Sequence, residues 1–258
     1  MTIGQSIRTG VAIFGLALSG VFHPLQAQEQ IDGPTALIIT YHARPGARAT
    51  LRKIMQGDGV AQLEKWKNEG VVAAYTLLFT AYAGDNSPDM FLVLRFKRFT
   101  DLGGWQKIEE TYPGGLPEKA QAVAVVDASA TADVVKEATG VQSPKDSQFL
   151  VLEYDVTAEM PKYVSYVQGY VAPQFEGWVK AGVLASYACY VNQNPAGAPW
   201  SSLTLLEYKD LKSLAAREVV KNRTREELAA SDPVWKKWSD DKSAMRKEKA
   251  AIPALALH

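Results

Sequence analysis

The sequence predicts an α+β fold of two tandem β-α-β-β-α-β units, and three observations carry that prediction. Residues 62–75, QLEKWKNEGVVAAY, return as residues 174–187, QFEGWVKAGVLASY, with seven identities at one offset, 178 − 66 = 112. The apolar run ALIITYHA at 36–43 is answered by FLVLEYDV at 149–156. Between these runs, stretches with the apolar period of a strand alternate with stretches of helical period, punctuated by Gly, Pro and Asn.

The N-terminus stands apart from the repeat. A basic end at Arg8, an apolar run at 11–22 and the small-residue site Leu25-Gln26-Ala27 predict a secretory signal peptide over 1–27. The run is too short to span a bilayer. The expected product is periplasmic or secreted, with one unit at 28–146, a second at 147–258, and no membrane attachment after cleavage. Charge is balanced, 28 Lys and Arg against 28 Asp and Glu, which removes any general reason to bind nucleic acid. Cys189 is the single cysteine, so packing alone must hold the fold, and its apolar surroundings predict a buried, inert thiol.

In the first unit, 36–43 is a strand with Leu37, Ile39 and Tyr41 on one face and Ile38, Thr40 and His42 on the other. Residues from Arg48 to about Gly70 carry a helical stripe, with Gly57 and Gly59 predicting a kink or break. Residues 71–82 and 90–97 read as a hairpin across Gly84-Asp85-Asn86-Ser87-Pro88. Residues 100–111 read as a second helix, and 122–126 as a short last strand. The second unit repeats the order, with Pro173 interrupting its first helix and a hairpin at 185–192 and 201–209. A charged helical extension over 225–249, capped by Asp232-Pro233, precedes a closing strand at 250–257.

Polar residues on strand positions are the candidate site. Thr40 and His42 are matched by Glu153 and Asp155, while Arg95 is matched by Glu207, so an arginine in one copy faces the position of a carboxylate in the other. If both enter the interior, Arg95 and Glu207 form a pair across it; a solvated sheet face or a structural ion pair accounts for the same pattern. His42 is the one ordinary general-base candidate, and Arg95 is the candidate stabiliser of an oxyanion. Thr40, Glu153, Asp155 and Glu207 are the candidate substrate-binding residues. No cluster has metal-ligand spacing and no phosphate loop or dinucleotide fingerprint occurs, so no metal or cofactor is expected. Trp66 and Trp178 read as helix-to-sheet anchors, and the basic stretch from Lys236 to Lys249 as a solvated helix face.

The doubled order is the ferredoxin-like pattern. With the strand end Tyr41-His42-Ala43-Arg44-Pro45-Gly46, the helix ending in Trp66 and the Gly70-Val71 strand entry, the chain resembles the dimeric α+β barrel superfamily, within it the NIPSNAP and antibiotic-biosynthesis-monooxygenase groups. The resemblance implies two four-stranded sheets packed face to face as an α+β barrel. It also implies a small-molecule site between sheet and helices or within the barrel. The superfamily includes oxygenases, isomerases, haem enzymes and proteins without known activity, so whether this chain is an enzyme stays open. The function expected is an exported binder of a small apolar molecule, acting on it, if at all, as a cofactor-independent oxygenase or isomerase. A non-catalytic homo-oligomer is the alternative, and a haem-binding protein the second.

Overall fold

The computed structural model describes residues 32–84, 87–139 and 145–258. The signal-peptide reading at 1–27 and the turn residues Asp85 and Asn86 lie outside them. Eight strands are present among the described residues: β1 Thr35–Ala43, β2 Ala74–Thr80, β3 Met90–Phe96, β4 Ala124–Thr139, β5 Gln148–Val156, β6 Leu184–Asn192, β7 Ser202–Tyr208 and β8 Arg246–Ala256.

The expected pair of ferredoxin-like sheets packed face to face does not form. The strands instead make one closed antiparallel barrel in the order β1-β3-β2-β8-β5-β7-β6-β4. Two strands account for the difference. β4 is 16 residues long, not the short strand expected at 122–126; it pairs with β1 as far as Asp133 and with β6 from Ala132 to Thr139. Its polar and small residues conceal its length from an apolar pattern. β8 pairs along β5 and then, through Ala254 to Ala256, with β2. Closure by backbone hydrogen bonds leaves no strand edge, which two separate sheets would have left.

The apolar residues fall into three layers. Ile38, Phe91, Val93, Val151, Trp200 and Leu203 belong to the cluster filling the barrel interior. The opposite faces of the strands carry two more clusters, one built on Ile39, Tyr41 and Trp66, the other on Tyr154, Tyr170 and Trp178. Helices cover both outer clusters. Over the first lie α1 Arg48–Ile54 and α2 Val60–Asn68, joined by a π-helical turn at Met55–Gly59, where the glycines lead to a widened turn and not a break. α3 Leu102–Glu109 and the short α4 Glu118–Gln121 complete that side.

Over the second lie α5 Met160–Tyr166 and α6 Ala172–Lys180, again joined by a π-turn, Val167–Val171. The helix therefore runs on through Pro173: the wide turn before it gives room to the carbonyl that a proline ring would otherwise meet. Outside them come α7 Leu211–Ala215, α8 Arg217–Ser231 and α9 Pro233–Asp241. Asp232 caps α9 as expected, accepting from the Val234 and Trp235 amides at 2.9 Å. The helical extension, however, stops short of 249, and Arg246 to Lys249 lie on β8. Among the described residues no helix is long and apolar enough to cross a membrane.

Candidate functional site

The sequence-predicted site residues separate into two groups at opposite ends of the barrel. β1 and β5 run in the same direction, so their C-terminal ends bring Thr40, His42, Glu153 and Asp155 to one end. β3 and β7 run against them and carry Arg95 and Glu207 to the other. Arg95 is opposite Ala36, and His42 lies six residues further along β1. At about 3.3 Å per residue that is roughly 20 Å, too far for one base and one oxyanion donor to share a reacting group.

At the His42 end, two β-bulges complete the cluster. The registers slip between Thr40 and Tyr41 and between Glu153 and Tyr154, leaving Asp127 and Lys249 as the extra residues. Thr40 Oγ1 donates to Asp127 at 3.1 Å, while the His42 ring nitrogens lie 3.9 Å from Asp89 and 3.8 Å from Asp127. Lys249 Nζ is 3.9 Å from Asp155. Burial lifts the Glu153 carboxyl to about 7; Lys249 opposes this and Asp127 and Asp155 add to it.

At the Arg95 end, a cavity of about 330 Å³ opens between the strand ends, lined by Arg95, Glu137, Phe149, Tyr190 and Glu207 among others. Arg95 makes a bidentate pair with Glu137 of β4, and Ser186 Oγ donates to Glu207 at 2.6 Å. The cation expected to reach across to Glu207 is thus clamped by a carboxylate on the strand whose length the sequence concealed. Between the two ends the apolar side chains of the interior cluster pack against one another.

A third place has the stronger chemistry for a ligand. Between the outer face of β5, β7 and β8 and the helices above it lies a cavity of about 390 Å³, within the range of small-molecule sites. One wall is aromatic. Tyr163, Tyr166 and Tyr170 recur at helical spacing, so their rings line up along one face: Tyr166 stacks on Tyr170 at 5.0 Å between centroids, and Tyr170 on Trp235 at 4.8 Å. Trp235 also donates its indole N–H to the Tyr170 carbonyl at 3.0 Å, pinning α9 to the π-turn. Trp178 lines the cavity as well as anchoring helix to sheet.

Two polar atoms of this wall lack a protein partner among the described residues: Tyr170 Oη and Trp178 Nε1, on side chains only 2% and 3% exposed. Buried polar groups are ordinarily hydrogen-bonded, so each marks a place where something other than protein is due. The floor carries Arg246, whose guanidinium lies over the Tyr154 ring at 3.6 Å and donates to Tyr163 Oη at 3.2 Å. Burial pulls this guanidinium down, but the phenols of Tyr154, Tyr163 and Tyr166 outweigh it and hold it above its ordinary value, so it stays charged.

Sequence reasoning missed this site. The Tyr163, Tyr166, Tyr170 spacing was available as a signal, yet it reads equally as a core stripe. Arg246 was assigned to a solvated helix face because β8 was expected to begin later.

No family model and no curated protein matches the chain. Solved structures match its fold. A candidate monooxygenase from Lactobacillus acidophilus NCFM superposes with a TM-score of 0.57 at 9% identity, over 88% of this chain and 95% of that one. An anthrone oxidase-like protein gives 0.53 at 12% identity, over 88% and 92%. A chlorite dismutase mutant from Candidatus Nitrospira defluvii gives 0.53 at 10%, over 90% and 94%. At such identities the likeness is one of fold alone.

Proposed function

We propose that this chain binds a small molecule with an apolar, aromatic body in the cavity between β5, β7, β8 and the helices of its C-terminal half. The observation that carries the reading is the pair of unmatched buried donors, Tyr170 Oη and Trp178 Nε1, set in an aromatic wall. The solved structures of this fold, which include proteins described as monooxygenases and an anthrone oxidase-like protein, support a small-molecule ligand.

His42 and Arg95 do not line this cavity, so neither is given a role in it. Oxygenase or isomerase chemistry without a cofactor is kept as a second step that binding makes accessible. Haem, which the resemblance brings, meets no His, Cys or Met side chain in this lining, where the tyrosines Tyr154, Tyr166 and Tyr170 are the one axial-ligand type. Export belongs to the same proposal and rests on the pattern at 1–27; N-terminal sequencing of the protein from a periplasmic fraction tests it, with a chain beginning before Gln28 counting against it.

Mass spectrometry of molecules that copurify with the protein tests the binding. An aromatic compound is expected, and its titration should quench tryptophan emission. Tyr170→Phe should weaken that compound about tenfold, the worth of one buried hydrogen bond, without lowering thermal stability. Unchanged affinity in Tyr170→Phe, with no effect of the compound on tryptophan emission, would overturn the reading.

A further inference from the structure

The charge around this cavity goes beyond what an apolar ligand requires. Arg217, Lys221, Arg225, Lys242 and Arg246 line it, against one carboxylate, Glu248. The whole chain is neutral by count, so the excess is local.

Two of the five cations are answered by protein: Arg217 and Lys221 both lie against Glu218. The other three have no carboxylate at ion-pair distance, although Arg225 also acts on Glu218 at longer range. Arg225 donates to the neutral Gln174 Oε1 at 2.7 Å, and Arg246 to the neutral Tyr163 phenol. Among the described residues, no ion pair forms with Arg225, Lys242 or Arg246. A half-buried guanidinium held over an aromatic ring keeps its charge but is not neutralised by it. Groups of this kind are ordinarily retained with a counter-charge.

We propose that the ligand is an aromatic carboxylate. Its ring system packs against the Tyr166 and Tyr170 wall, and its carboxylate is the missing counter-ion of Arg246, with Arg225 and Lys242 adding to the attraction. Guanidinium and carboxylate match in shape, which favours a carboxylate over a neutral amide of the same outline. The proposal rests on the reading of this cavity as the ligand site.

The test compares 2-naphthoate with 2-naphthamide, which share shape and differ in charge, by calorimetric titration of the full chain as it is isolated. The carboxylate is expected to bind about tenfold more tightly or better, as charge-assisted hydrogen bonds require, and its advantage should shrink as salt is raised. Arg246→Gln should reduce that preference to near unity. Because Arg246 also packs on Tyr154, Arg225→Gln on the outer helix serves as the second variant, and a severalfold loss for naphthoate alone is expected from it. Equal binding of the two compounds, with tryptophan quenching that Tyr170→Phe weakens, would overturn the charge proposal while leaving the cavity as the site. Failure of naphthoate to bind overturns the proposal outright. If no copurifying compound quenches tryptophan either, the site reading fails with it.

Discussion

Arg246 of β8 and Tyr154 of β5 are diagonal neighbours on the outer face of the barrel. Arg246 is opposite Val156, two residues beyond Tyr154, and its guanidinium lies 3.6 Å from the centre of the Tyr154 ring. This contact joins the floor of the cavity across two strands. A double-mutant cycle with Arg246→Met and Tyr154→Leu should give a coupling of about 1 kcal/mol in denaturant unfolding, as a partly desolvated cation over an aromatic face does. Strict additivity would remove the contact from the account of stability.

Glu153 sets a pH dependence at the other side of β5. In the folded chain its carboxyl keeps a proton up to about pH 7, whereas in the unfolded chain it releases it near the ordinary 4.5. Its contribution is therefore fully present below the ordinary value and declines as pH rises through 7. The decline should be on the order of 2 kcal/mol. Glu153→Gln, which cannot ionise, should be more stable than the parent at pH 8 and equal to it at pH 4, as read by thermal melts. A variant less stable than the parent at pH 8 would contradict the buried, protonated carboxyl.

His42 and Arg95 should behave as strangers. With roughly 20 Å of β1 between their ends of the barrel, His42→Ala and Arg95→Met should add within about 0.5 kcal/mol in stability. Catalysis by the two together predicts the reverse, a strong non-additivity in turnover of any substrate found.

Gly115 should not accept a side chain. Its φ is +68°, and an added Cβ would come 2.8 Å from Cη2 of Trp105. Gly115→Ala should cost about 2–4 kcal/mol, from the left-handed backbone and the displaced indole together. A melt within a degree of the parent would show that the loop before α4 relaxes freely.

Cys189 should be silent in the native protein. It is 1% exposed, and burial pushes its thiol up to about 11 despite a contact with the Thr204 hydroxyl that acts the other way. A thiol reagent at pH 8 should label one cysteine in denaturant and none before unfolding. Rapid native labelling would place Cys189 on an accessible path.

The local elements and the sides of the strands follow from near neighbours in the chain. In β1, Leu37, Ile39 and Tyr41 alternate with Ile38 and Thr40, and the structure puts the first set under helices and Ile38 inside the barrel. The Asp232-Pro233 cap and the burial of Trp66, Trp178 and Cys189 were legible for the same reason: each depends on near neighbours in the chain. Features that depend on pairing at long range are legible in the folded chain alone. The 16 residues of β4 and the early start of β8 carry little apolar signal, because their small and polar residues are held by ladders on both sides and not by their own hydrophobicity. Those two strands close the barrel, place Glu137 beside Arg95, and lay Arg246 beneath Tyr163 and Tyr166. The residues of the cavity come from helices and strands up to 96 positions apart, Leu152 to Glu248, so no window of sequence could have assembled them.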